Sequence, residues 1–270
     1  MPDRYAVIGN PIAHSRSPEI HAAFARQASQ DLEYTRILAP LDGFDAAVAA
    51  FRAAGGRGLN VTLPFKGAAF RLATATSGRA REAEAVNTLR FEGARVDGDN
   101  TDGVGLARDI VANLGIALEG RRLLIVGAGG AARGVIPSLL DARPAEVVVV
   151  NRTAERAADL ARQFNGRVRA AGFATLPRQA FDIVVNATSA GLAGEAPPLP
   201  TTAFVDGALA YDMVYGKGET AFLALARASG AARFADGLGM LVEQAAESFY
   251  LWRGVRPDTA PVLAMLRAGT

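Results

Sequence analysis

The chain of 270 residues has no cysteine, two histidines, one tryptophan and two lysines. Without cysteine there is no disulfide, thiol nucleophile, iron–sulfur cluster or cysteine-bound zinc. His14 and His21 form no H-E-x-x-H pattern, so no metal is expected. No apolar run approaches the ~18 residues of a membrane span, and the first ten residues carry Asp3 and Arg4 in place of a signal-length apolar stretch. A cytoplasmic protein is the expectation. The net charge is only +2 and no Lys/Arg tract concentrates it, which argues against nucleic acid or a membrane surface as partner. What remains is ordinary: 50% hydrophobic and 21% charged residues suit a globular protein of one large or two modest domains that handles small molecules.

The scarcity of lysine is informative. Of 29 basic residues only Lys66 and Lys217 are lysines, so arginine stands almost wherever positive charge suffices. Arginine does not release a proton near neutral pH, whereas a lysine with a lowered pKa does. Lys217, in a Tyr-Gly-Lys-Gly turn, reads as a surface residue; Lys66 takes its meaning from its neighbours.

Apolar runs read against turn signals predict strands at Tyr5–Ile8, Tyr34–Leu38 and Gly58–Thr62, and a hairpin over Thr88–Val96 turning at Glu92-Gly93. Helices are predicted from Ser17, as cap with Pro18 in the first helical position, and over Phe44–Ala54, Arg79–Ala85 and Val104–Leu114. A new series then begins: strand Arg122–Val126, glycine loop, helix to Leu140, strand Val147–Val150 and helix Ala154–Phe164. Further strands are predicted at Phe181–Val185, near Phe204–Val205 and at Leu209–Met213, followed by a helix over Leu238–Trp252 and a segment starting at Pro257. Alternating strands and helices indicate α/β architecture with mostly parallel sheets.

The chemistry begins at the glycine loop. Leu123 to Val126 runs into Gly127-Ala128-Gly129-Gly130-Ala131-Ala132, a G-x-G-x-x-G/A pattern with the strand before it and the helix after it that a dinucleotide site requires. Gly127 permits the tight turn, Gly129 lets the backbone approach a pyrophosphate, and free N–H groups at the helix start face the anion. At the end of the next strand an NAD site usually supplies an acid for the ribose hydroxyl. Here the chain reads Asn151-Arg152-Thr153-Ala154-Glu155-Arg156. Guanidiniums at Arg152 and Arg156 suit a 2′-phosphate, hence NADP, although both also serve a solvated surface.

Three polar clusters lie outside that module. Gly9 to Pro18 places Ser15 and Ser17 at a helix start, suited to a carboxylate or to plain capping. Leu59-Asn60-Val61-Thr62-Leu63-Pro64-Phe65-Lys66 ends a strand in Asn, Thr and Lys, and Asp99-Asn100-Thr101-Asp102-Gly103 offers a carboxylate before a helix.

Together with these clusters, the runs Ala85-Val86-Asn87-Thr88, Asn186-Ala187-Thr188-Ser189-Ala190-Gly191, Tyr211-Asp212-Met213-Val214-Tyr215 and Asp236 to Gln244 resemble the shikimate dehydrogenase family, in order over residues 5 to 253. The resemblance implies two α/β domains around a cleft. Residues 1–103 with 238–270 would bind substrate, and residues 104–237 would form a Rossmann-type NADP domain. It implies Lys66 and Asp102 as the catalytic pair, and Ser15, Ser17, Thr62, Asn87, Tyr215 and Gln244 as substrate contacts. Cofactor contacts would be Gly127, Ala128, Gly129, Gly130, Ala131, Asn151, Arg152, Thr153, Arg156, Thr188, Met213 and Gly237. The implied reaction is the reversible NADPH-dependent reduction of 3-dehydroshikimate to shikimate, in chorismate and aromatic amino-acid biosynthesis, by a monomer or homodimer. A ring ketone that accepts hydride needs a proton, and an ammonium beside a carboxylate both donates it and fixes its direction.

Departures from the family pattern are small: Gly78 stands where many members have an acid near the cofactor, Ala190 replaces a frequent serine, and His14 is assigned no proton role. One alternative is a quinate/shikimate dehydrogenase paralogue, often NAD-using; Arg152 and the missing strand-end acid speak against it. The other is a non-catalytic NADP-binding regulator, which would be expected to lose Lys66 or Asp102.

Overall fold

The computed structural model describes residues 1–176, 180–188, 194–216 and 218–269. The Lys217 turn and the Ser189-Ala190-Gly191 end of one motif lie outside the described residues. The chain divides into two compact units, Met1–Gly105 with Leu241–Gly269, and Leu106–Met240.

The first unit opens with β1 (Asp3–Gly9), whose residues from Tyr5 onward are buried. Helix α1 (Ser17–Gln27) follows, burying Ile20, His21, Phe24 and Ala25 on one face. Next come β2 (Leu32–Leu38), α2 (Phe44–Ala53) and β3 (Gly56–Val61). In α2 the buried residues Phe44, Val48 and Phe51 recur at helical spacing. The short elements α3 (Lys66–Leu72), β4 (Ala75–Thr76) and α4 (Gly78–Ala83) lead to the hairpin of β5 (Thr88–Glu92) and β6 (Arg95–Asp99). The sheet order is β2-β1-β3-β5-β6-β4, with β5 antiparallel to both β3 and β6 and the other neighbours parallel.

Helix α5 (Asp102–Arg108) carries the chain into the second unit and continues as a π-helical turn over Asp109–Asn113. That unit contains β7 (Arg122–Val126), α6 (Gly130–Asp141), β8 (Glu146–Asn151), α7 (Ala154–Arg162), β9 (Arg169–Gly172), β10 (Phe181–Asn186), β11 (Phe204–Asp212), α8 (Ala221–Ala228) and β12 (Arg233–Ala235). Its strands are all parallel, in the order β12-β11-β10-β7-β8-β9. Numbered within the unit, this is the doubly wound 3-2-1-4-5-6 arrangement, read from the other edge. Alternation along the strands divides the core: Leu123, Ile125, Val147, Val149, Ile183 and Val185 pack on one face, and Leu124, Val126, Val148, Val150 and Val184 on the other. Both faces are covered, which is why these strands read as continuous apolar runs. Helix α9 (Leu238–Arg253) returns the chain to the first unit, where α10 (Ala260–Ala268) ends it.

Several local expectations are corrected. Ser17 does not cap α1; Arg16 holds that position, its carbonyl accepting from Ile20 N at 3.1 Å, and Ser17 is already helical. The two short strands expected near Phe204 and Leu209 are one strand, β11, because a register shift lets the chain step past the exposed Asp206 and Gly207. The helix expected from Val104 begins at Asp102, whose N–H donates to the Asn100 side chain at 3.1 Å. The C-terminal helix begins at Ala260 after Pro257, with Thr259 as its cap residue. Sequence reading missed β9 and β12, short edge strands with few buried residues, and α8, whose start is capped by Thr220 accepting from Leu223 N at 3.3 Å.

Among the described residues, no helix is long and apolar enough to cross a membrane.

Candidate active site

In the first unit, the C-terminal end of β3, the start of α3, the loop before β5 and the start of α5 bring polar side chains together. Lys66 is the first residue of α3, and its Nζ lies 2.5 Å from Asp102 Oδ2. The lysine side chain is 20% exposed and the carboxylate 9%, so the pair is sheltered but reachable. The other carboxylate oxygen, Oδ1, accepts from Asn87 Nδ2 at 2.8 Å. Two donors thus hold Asp102, one of them a cation, in surroundings where charge-assisted bonds are strong.

Asn87 is itself buried and heavily engaged. Its Oδ1 accepts from Thr101 N at 2.8 Å and Thr88 Oγ1 at 2.9 Å, and its Nδ2 also reaches Thr101 Oγ1 at 2.9 Å and Gln244 Oε1 at 3.3 Å. Gln244, from α9, donates to Leu241 O at 2.9 Å. Thr62 follows β3 directly, half-buried, its N–H donating to Ile8 O at 3.0 Å. Ser15 and Ser17 sit before and at the start of α1, with Ser15 Oγ donating to Ser17 Oγ at 3.2 Å. Arg36 of β2 grips the Ser15 carbonyl through Nε and Nη2, at 2.9 and 2.6 Å. Relieved of capping, the Ser17 hydroxyl is not committed to the helix backbone. The structure therefore gathers Lys66, Asp102, Asn87 and Gln244 by direct bonds; Ser15 and Ser17 form a second cluster, and Tyr215 lies in the other unit, half-buried. His14 is exposed, and Gly78 is an exposed residue at the start of α4 with no side chain to offer a ligand.

Sequence reading quoted Asn60, Thr88 and Thr101 within motifs without giving them a role, and it missed Tyr34 and Ser248, which join them behind this cluster. Tyr34, Asn60, Thr88, Thr101 and Ser248 are linked by hydrogen bonds, Tyr34 Oη to Asn60 Oδ1 at 2.7 Å and Asn60 Nδ2 to Ser248 Oγ at 2.9 Å among them. The available signal was a serine and a threonine placed at core-facing positions of apolar elements.

In the second unit the glycine loop joins β7 to α6. Gly127 has φ +108°, and a Cβ there would press on Thr188 Cγ2 at 2.9 Å and Ala187 O at 3.2 Å. Nothing stands within 4 Å of a Cβ built at Gly129 or Gly130, so the turn presents open backbone at the start of a twelve-residue helix. Ala128 and Ala131 flank this turn and Ala132 is fully buried behind it. This arrangement fits a pyrophosphate. At the end of β8, Asn151 Nδ2 donates to Thr153 O at 2.9 Å, which shapes the turn, and Arg152, Thr153 and Arg156 are exposed.

A buried brace backs the neighbouring strand ends. Asn186 Nδ2 donates to Asp212 Oδ1 at 3.1 Å, and Asn186 Oδ1 accepts from Thr188 Oγ1 at 2.8 Å. Asp212 also accepts from Thr220 Oγ1 at 2.6 Å and Val214 N at 3.1 Å; burial raises its pKa above the ordinary carboxylate value and these donors oppose the rise. The brace positions Thr188 and Met213, whose N–H donates to Asn186 O at 3.0 Å. Gly237 packs so closely on Met213 that a Cβ would come within 2.2 Å of its carbonyl oxygen. Among the described residues, no group of three or more His, Cys, Asp or Glu is arranged to hold a metal ion.

An all-parallel doubly wound sheet with an open glycine turn, carried in one chain with a sheltered lysine–carboxylate pair, defines a two-unit α/β protein of the dinucleotide-dependent dehydrogenase class. Residues 7–89 match the pattern of the shikimate dehydrogenase substrate binding domain, 106–193 that of shikimate / quinate 5-dehydrogenase, and 237–267 that of the shikimate 5′-dehydrogenase C-terminal domain. A shikimate dehydrogenase (NADP(+)) of Nitrosospira multiformis is 60% identical, covering 99% of this chain and 98% of that protein. Among solved structures, an Ael1 enzyme from Pseudomonas putida is 53% identical with a TM-score of 0.93, covering 98% of each chain. The Thermus thermophilus shikimate 5-dehydrogenase in complex with NADP(H) and shikimate is 37% identical with a TM-score of 0.88, covering 99% of this chain and 100% of that one. The chain belongs to the shikimate dehydrogenase family.

Proposed function

We propose that this protein interconverts 3-dehydroshikimate and shikimate with NADP(H), in the pathway to chorismate and the aromatic amino acids, with Lys66 and Asp102 moving the proton. The observation that carries the reading is the 2.5 Å contact between Lys66 Nζ and Asp102 Oδ2, both side chains sheltered and neither fully closed off. The ammonium is the acid that protonates the ring oxygen on reduction and, deprotonated, the base that removes the same proton on oxidation, so the reaction runs in both directions. Asp102 fixes the direction of the Lys66 donor, and Asn87 fixes Asp102.

The remaining residues bind and orient. Ser15 and Ser17 offer hydroxyls to the substrate carboxylate, and Thr62, Asn87, Gln244 and Tyr215 serve its ring hydroxyls, since polar groups placed for particular hydroxyls reject analogues that lack them. Bound NADPH supplies the hydride. The backbone from Gly127 to Ala131 receives the pyrophosphate; Asn151, Arg152, Thr153 and Arg156 surround the 2′-phosphate; Thr188, Met213 and Gly237 shape the remainder of that site. The domains are assigned accordingly, the first unit to substrate and the second to NADP.

The test is a steady-state assay of shikimate and quinate against NADP and NAD, run on the parent and on Lys66→Arg. Shikimate with NADP is expected to be the preferred pair. Lys66→Arg keeps charge but not the removable proton, so turnover should fall by about 100- to 10,000-fold while shikimate and NADP still bind within about tenfold. Retention of more than about a tenth of parental turnover would rule out Lys66 as the proton carrier.

A further inference from the structure

Behind Asp102 runs a line of hydrogen bonds, buried from Asn60 onward, that passes from Tyr34 through Asn60, Thr88 and Asn87. Tyr34 Oη donates to Asn60 Oδ1 at 2.7 Å. Asn60 Nδ2 donates to Ser248 Oγ at 2.9 Å and approaches Thr88 Oγ1 at 3.2 Å. Ser248 Oγ donates to Gln244 O at 3.0 Å and braces the line from the side, 2.8 Å from Thr88 Oγ1, and Thr88 Oγ1 donates to Asn87 Oδ1 at 2.9 Å. Asn87 Nδ2 then donates to Asp102 Oδ1 at 2.8 Å, and Lys66 closes the far side of the carboxylate.

The direction follows from which groups are able to donate. Thr101 N–H, which only donates, lies 2.8 Å from Asn87 Oδ1, so the Asn87 amide must face Asp102 with its NH₂. With its acceptor end held, each amide passes polarisation onward, accepting at one end and donating at the other. The Asn87 NH₂ has two hydrogens and three acceptors within reach, Asp102 Oδ1, Thr101 Oγ1 and Gln244 Oε1, so its aim is a competition. The Thr88 hydroxyl, pulling on the carbonyl end of the same planar group, biases that competition. Asn60, Asn87, Thr88, Thr101 and Ser248 are all buried, so these bonds are poorly replaced by water.

We propose that Tyr34, Asn60 and Thr88 form a polarised chain that aims the Asn87 amide at Asp102, making Thr88 and Tyr34 positioning residues for the Lys66–Asp102 pair. The inference rests on the reading of that pair as the proton-transfer groups. Lys66 is the charged group bonded to Asp102; the side chains that β5 and α9 contribute to this network, Thr88, Gln244 and Ser248, are neutral. The acids of α9 are engaged elsewhere, Glu243 with Thr259 and Glu247 with Arg79 and Arg256, and Asp99 of β6 is engaged with Arg79. His21, stacked on the Tyr34 ring at 4.2 Å, is held neutral by burial.

The test compares Thr88→Val, which keeps the shape of the side chain and removes the hydroxyl, with Thr88→Ser, which restores it, and with Tyr34→Phe, which leaves the stacked ring in place. Each is assayed for kcat and KM in shikimate oxidation, for NADP binding and for thermal midpoint, with Asp102→Asn alongside. Thr88→Val should lower kcat by about 10- to 100-fold, the range for loss of a supporting contact behind a reactive group, with KM for shikimate changed less than about threefold. Thr88→Ser should restore kcat, and Tyr34→Phe, further along the chain, should show the same kcat-against-KM split at smaller size. Parental kcat in Thr88→Val and Tyr34→Phe, or a Thr88→Ser variant as impaired as Thr88→Val, would overturn the proposal. Tyr34→Phe decides the matter should Thr88→Val fold poorly. If Asp102→Asn keeps its turnover, the proton-transfer reading falls; if it is dead while Thr88→Val and Tyr34→Phe behave as the parent, only the chain falls.

Discussion

His21 gives a stability prediction that can be worked through. The imidazole is fully buried in α1, stacked on Tyr34 at 4.2 Å and edge-on to Phe24 at 6.0 Å. Neither ring nitrogen has a hydrogen-bond partner. Asn60 is the polar side chain that favours the charged ring, but its amide is spent on Ser248, Thr88 and the Asn87 carbonyl and its oxygen on Tyr34. Burial therefore prevails and pushes the pKa from the ordinary 6.5 down to about 3. The native state holds His21 neutral while the unfolded chain takes up a proton below pH 6.5, so stability is present above that pH and drains away as pH falls towards 3. Between pH 7 and pH 5 the loss from this residue is about 2 kcal/mol, and at pH 3 it is about 4 kcal/mol. Urea unfolding of the parent and of His21→Phe at pH 7, 6 and 5 isolates the contribution, because carboxylates such as Asp3, held low by Arg253, contribute equally to both. The parent should lose about 2 kcal/mol more than the variant over that interval. Parallel pH dependences would show that the ring gains a proton in the native state, and the reasoning from burial would fail.

Three further outcomes are expected. Ser15→Ala with Ser17→Ala should weaken shikimate binding in calorimetric titration and leave NADP affinity unchanged. Because Ser17 makes no capping bond, the double variant should lose less than the ~1 kcal/mol typical of a cap; equal loss of both ligands would refute the assignment. Arg152→Asp should erase a preference for NADP over NAD of at least about tenfold in kcat/KM, as a charge-assisted phosphate contact is worth about 1.5 to 3 kcal/mol; equal use of both cofactors by the parent would contradict it. Gly237→Ala drives a methyl group into the Met213 carbonyl, so urea unfolding should show destabilisation of about 1 to 3 kcal/mol, with weaker NADP binding; parental values would mean that this backbone yields freely.

Periodicity and local chemistry are properties of neighbouring residues, and these were readable from the chain alone. The apolar runs of β7, β8 and β10, the glycine turn after Val126 and the missing acid after Val150 each lie within a few residues, so α/β class, a dinucleotide site and its phosphate preference followed directly. Lysine scarcity marked Lys66 in the same way. The fate of the Ser17 hydroxyl, the fusion of β11 and the π-helical turn at Asp109 depended on distant partners. That turn sits where Asp109 receives the Tyr211 hydroxyl at 2.6 Å, a contact spanning 102 positions that no local pattern encodes. Thr88 and Ser248 are ordinary core-facing polar residues in sequence, 160 positions apart, and only folding brings their hydroxyls to 2.8 Å. Residue type is a local property and shows which groups can react; the direction in which Asn87 points, and so how Asp102 is held, depends on hydrogen bonds closed between strand and helix after the chain has packed.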